Sequence, residues 1–127
     1  MKTIELKKSI VSLLDEGILH VHIKDGSEME LSDAILAVEA EGKVGGGKKY
    51  PVLIDCGEFA SVDKEARVFS ASPESNIYTI ASAIAFVSLG HKLLANFYIK
   101  HNKPSVPTEM FKTKEQAIEW LKTFVVK

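Results

Sequence analysis

The chain has a single cysteine, Cys56, so it can form no internal disulfide. That count fits a reducing compartment and excludes a small fold held together by cross-links. Also missing is any apolar run near the roughly 20 residues that a membrane-spanning helix needs. The opening MKTIELKKSIVSLLDEG has neither the uninterrupted apolar stretch nor the small-residue cleavage site of a secretory leader. No charge of one sign dominates, because 16 lysines and arginines oppose 17 aspartates and glutamates. The resulting net charge of -1 offers no general attraction to a phosphate backbone, which argues against nucleic acid as a partner. Together these absences predict a cytoplasmic protein with no membrane span.

What the chain does have is a globular mixture: 46% of its 127 residues are apolar and 26% charged, enough for one hydrophobic core. A single domain of this size buries roughly two-thirds of its unfolded surface. Residues Ile10 to Leu14 and Ile18 to Ile23 read as strands joined by Asp15-Glu16-Gly17, with Gly17 free to take the positive φ of a tight turn. Ser32 is placed to cap a helix with Leu31, Ile35 and Val38 at helical spacing, and Gly42 to end it. The glycine-rich stretch from Gly42 to Lys49 reads as a mobile loop before the apolar strand Tyr50 to Ile54.

Asp63 or Ser61 is the expected cap of a second helix bearing Ala66 and Phe69 on its inner side. The apolar run Ile80 to Val87 fits a buried strand or a buried helix by periodicity. Its place between two helices favours a central parallel strand. A helical stripe of Leu93, Leu94, Phe97 and Tyr98 follows, stopped by Asn102-Lys103-Pro104, and then a short edge strand from Thr108 to Lys112. Thr113-Lys-Glu-Gln116 forms a capping box for the last helix, whose apolar face carries Ala117, Leu121 and Phe124. The order ββαβαβαβα predicts an α/β fold: a mixed, mostly parallel sheet with an N-terminal hairpin and about four helices.

Motifs for chemistry are incomplete. Gly42 to Lys48 matches the glycine and lysine spacing of a phosphate loop, but Lys49 stands where a magnesium-holding hydroxyl belongs. The segment also leaves a helix and opens a strand, the reverse of what phosphate binding needs. His20 and His22 share one strand face at a spacing that can chelate zinc, yet no pattern places a third ligand, so they read as polar residues facing water. Cys56 with His91 is the best nucleophile pair on offer, but a lone cysteine at a strand end reads more simply as a small buried hydrophobe. His101 is placed to meet the last carbonyls of its helix. Asp55, Glu58, Asp63 and Glu65 gather at the carboxyl end of a parallel strand, where open α/β sheets bind ligands.

Several stretches resemble the STAS / SpoIIAA-like domains, and small bacterial proteins of that kind in particular: YPVLIDCGEF, EARVFSASPE, LLANFYIKHNKPSVPT and FKTKEQAIEWLK. The resemblance implies the fold above. In antagonist proteins of that group a serine is phosphorylated within an Asp-Ser-Ser-Gly motif after a strand-end aspartate. Here Asp55 stands at the strand end and Val62-Asp63 echoes the approach, but Lys64-Glu65-Ala66 follows and supplies no hydroxyl. The phospho-switch has no acceptor, and Glu65 puts a fixed negative charge in its place.

The reading is a non-enzymatic, regulatory interaction module that binds a protein partner through Asp55, Glu58, Ser61, Asp63, Lys64, Glu65 and Arg67. An alternative is a small apolar or lipid-like ligand held between sheet and helices by Leu94, Asn96, Phe97, Tyr98 and Lys103. A small enzyme using Cys56, Asp55 and His91 ranks behind both. No cofactor and no metal are expected, and a homodimer through an edge strand or a helix face stays open.

Overall fold

The computed structural model describes residues 2–125. In chain order its first half holds β1 (Thr3–Glu5), β2 (Ser9–Leu14), β3 (Ile18–Ile23), β4 (Glu28–Met29), α1 (Leu31–Val44) and β5 (Tyr50–Cys56). Then follow β6 (Ser61–Val62), α2 (Lys64–Ala71), β7 (Thr79–Ala85), α3 (Leu89–Phe97), a π turn (Tyr98–Asn102), β8 (Thr108–Phe111) and α4 (Lys114–Lys122). Six strands form one sheet in the order β1-β2-β3-β5-β7-β8, and β4 and β6 pair separately. The β1–β2 and β2–β3 pairs are antiparallel, while β3–β5, β5–β7 and β7–β8 are parallel. The mostly parallel α/β architecture expected from the sequence is the one observed.

Strand alternation sorts the core onto two faces. On one face Val11, Leu19, Val21 and Val52 pack with Ala37, Ala40 and Val44 of α1. On the other, Ile18, Leu53, Ala81, Ala83 and Ala85 meet Ala117 and Leu121 of α4. The three alanines of β7 let α4 approach closely, and Trp120 closes its flank against Phe111 and Phe124. The N-terminal hairpin turns as expected: Gly17 has φ +79° and its N–H donates to the Leu14 carbonyl at 3.0 Å.

Helix α1 departs from expectation at both ends. Its first turn is capped by Glu30 and Asp33 instead of Ser32, with the Glu30 N–H donating to Asp33 Oδ2 at 2.9 Å. Lys8 reaches Asp33 at 2.8 Å and ties the helix start to the loop between β1 and β2. The helix also runs through Gly42 to Val44; the glycine makes room for the Tyr78 ring, which a Cβ at residue 42 would approach to 2.6 Å. Gly45 to Gly47 then form a hydrogen-bonded turn, with the Gly47 N–H donating to the Gly42 carbonyl at 2.9 Å, so the stretch is not a free linker. The buried face is Ala34, Ala37, Val38, Ala40, Glu41 and Val44, while Ile35 is exposed. The edge strand β8 stops at Phe111, one residue short of expectation.

Candidate functional site

Between the sheet and helices α1, α2 and α3 lies a cavity of about 160 Å³. Val21 of β3, Ile54 of β5 and Ser82 and Ile84 of β7 form its floor. Its walls come from Val38 and Glu41 of α1, Arg67 and Ser70 of α2, and Leu94 and Tyr98 around the end of α3. Local sequence explains how these side chains reach it. Asp63 accepts the Ala66 N–H at 2.9 Å and so starts α2 one turn before Arg67. Ser88 accepts the His91 N–H at 3.1 Å and starts α3 with His91 in its first turn. Asn76 then donates to the Ser70 and Ser72 carbonyls and to Ser105, which binds the end of α2 to the loop along the cavity's rim.

Polar atoms in this apolar space are only partly matched. Arg67 donates through Nη1 to the Val62 carbonyl at 2.6 Å, and its buried Nε has no partner. His91 Nε2 meets the Ala60 carbonyl at 2.9 Å, and since a carbonyl only accepts, this nitrogen carries the proton. Nδ1 of the neutral ring is then a buried acceptor, and it too is unpaired. Burial pushes the Glu41 carboxyl up to about 8, so it is protonated at neutral pH and can donate. Burial likewise raises the Tyr98 phenol above its ordinary range. Unpaired buried polar groups are uncommon in native interiors, and each calls for an explanation.

The residues singled out from sequence divide between two sides of the sheet. Asp55 is only 8% exposed and faces the α4 side, away from Ser61 to Arg67, because it alternates with Ile54 and Cys56 along β5. Its burial works to raise the carboxyl's pKa, but hydrogen bonds from His20 and His22 prevail and hold it below the usual value. Ser61 is taken up in β6 and the cavity wall, Asp63 in its cap, and Arg67 in the cavity. Only Glu58, Lys64 and Glu65 of that set are exposed, so the seven do not form one surface.

Of the expected pocket residues, Leu94 and Tyr98 line the cavity. Phe97 is on the outer side of α3 with Leu93, and Asn96 and Lys103 do not reach the cavity. Cys56 and His91 both border it, yet burial first, and Asp55 second, push the thiol up to about 11, which leaves it a poor nucleophile. His101 stacks on Phe97 with ring centroids 4.5 Å apart.

Glu41, Arg67 and His91 were not read as pocket residues from sequence. Glu41 had a signal, since it falls on the apolar stripe of α1 three residues beyond Val38. Arg67 and His91 had none, because only the packing of α2 and α3 brings them together.

The family model described as Domain of unknown function (DUF7793) matches residues 12–125. No match is found among curated proteins. Among solved structures, the chain is similar to an uncharacterized protein of the DUF3478 family with a SpoIIAA-like fold from Shewanella loihica PV-4. The two share 13% identity over 94% of this chain and 90% of that one, with a TM-score of 0.58, which establishes the SpoIIAA-like fold.

Proposed function

The chain belongs to the DUF7793 family, and from that premise we propose that it is a non-enzymatic binding module for one small ligand with an apolar body and a hydrogen-bonding head. The observation that carries this reading is the cavity itself, where apolar walls surround an unpartnered Arg67 Nε donor and an unpartnered His91 Nδ1 acceptor. Its size suits a molecule like benzene, or one end of a longer chain, since a dry apolar cavity of about 150 Å³ takes such guests. Ligand pockets combine walls of this kind with a few placed polar groups.

Native mass spectrometry of the purified chain with a panel of short aliphatic and aromatic carboxylates and their amides tests the proposal. A one-to-one complex is expected, and Arg67→Met should weaken it at least tenfold by removing the head-group donor. A panel with no bound member, or equal binding by the variant, would count against it.

A second reading has its own support. Leu89, Leu93 and Phe97 recur every four residues along the outer face of α3, and Leu93 is 61% exposed. Phe59 and Val87 are exposed as well, and large exposed apolar surface is the kind that a protein partner covers. Sedimentation of wild type and Leu93→Glu would separate self-association through this face from a different partner.

A further inference from the structure

A second cluster lies on the opposite side of the sheet and owes nothing to the cavity. Along β3 the alternation turns His20 and His22 to the α4 side. The parallel register of β3 and β5 sets Asp55 directly beside His22. His22 Nδ1 stands 2.8 Å from Asp55 Oδ2, and His20 Nε2 contacts Asp55 Oδ1. One ligating atom from each residue lies within 4.8 Å of the others. Asp55 is nearly buried, and no lysine or arginine pairs with it among the described residues.

A divalent cation held by all three side chains would offset the charge of the buried aspartate. The donor set is also a selective one. Two imidazoles and a carboxylate suit zinc and its first-row neighbours, whereas magnesium and calcium favour oxygen alone. Zinc takes such ligands at about 2.0–2.2 Å, and small movements of the three side chains reach that spacing. All three stand on adjacent paired strands, the kind of rigid support a metal site requires.

We propose that His20, His22 and Asp55 form a binding site for one divalent transition-metal ion of the zinc class. Three protein ligands leave a tetrahedral ion one open position. His22 and Asp55 line a cleft whose rim carries Lys112, Thr113 and Lys114 at the start of α4. An ion here would meet water or an anionic group arriving through the cleft.

The test uses untagged full-length chain, stripped with a chelator and titrated with zinc alone against a chromophoric competitor. Cobalt serves as a visible-absorption probe of coordination. One ion per chain is expected, with the strong visible bands that cobalt shows at low coordination number. His22→Asn and Asp55→Asn should each weaken zinc at least about tenfold. His101→Asn, at an exposed histidine outside the cluster, should leave affinity unchanged. His22 is on the cleft side and partly exposed, so its variant decides the matter even if Asp55→Asn fails to fold. No stoichiometric ion, or undiminished affinity in His22→Asn with unchanged circular dichroism, overturns the proposal.

Discussion

The two faces of the central sheet are built from the same strands and packed in opposite ways. Toward α4, β7 presents Ala81, Ala83 and Ala85, and a nine-residue helix seats Ala117 and Leu121 against them with no exposure. Toward α1, α2 and α3, the alternate positions Ser82 and Ile84 sit under helices that do not close over them, and a cavity results. Small residues on one face draw a helix into contact, while mixed residues on the other hold helices apart. Both faces carry core, but only the second leaves room for a guest.

The largest expected effect breaks the packed face. Leu121→Ala should cost about 4 kcal/mol in urea unfolding, because the removed side chain leaves a cavity that close neighbours cannot refill. Next comes a contrast between adjacent residues of β7. Ala83→Leu should cost about 2 kcal/mol by overpacking against α4. Ser82→Leu extends into existing space and should change stability by less than about 1 kcal/mol. Equal costs at the two positions would erase the distinction between the faces.

A third test sharpens the contrast through pH. Glu41 has its folded pKa raised to about 8 by burial, so the folded chain holds a proton that the unfolded chain releases above its ordinary value of 4.5. This group's contribution is fully present below about pH 4.5 and is lost as pH rises toward 8. Stability should therefore fall as pH rises through that window. Glu41→Gln should flatten the slope, as urea midpoints across pH will show. The smallest effect belongs to a cap on the cavity side: Asp63→Ala should destabilise by about 1 kcal/mol by leaving the Ala66 N–H unpaired.

Much of this architecture was legible where local chemistry decides it. Gly17 marked the hairpin, Asp63 and Thr113 marked their helices, and the run from Ile80 marked β7, an interior parallel strand that ends at Ala85 and not at Val87. What escaped notice was short or assembled from distant parts. Strands β1, β4 and β6 have two or three residues each, too few for alternation to show. The start of α1 is set by Glu30 and by Lys8 from another element, a tertiary tie that propensity does not report.

The same divide runs through the candidate sites. The shared side of His20 and His22 was visible, but Asp55 joins them only through the β3–β5 register. Leu94 and Tyr98 belonged to a recognisable stripe, but the turn of α3 that sends Leu93 and Phe97 outward depends on where that helix packs.

The most direct test of the cavity as a ligand site is amide chemical-shift mapping with the best-bound member of the carboxylate and amide panel, on wild type and on Ser82→Leu. The account predicts shifts concentrated at Arg67, Ile84 and Leu94 in wild type and their loss when the added side chain fills the space. Shifts that persist in the filled variant, or that appear only along Leu89, Leu93 and Phe97, would contradict it.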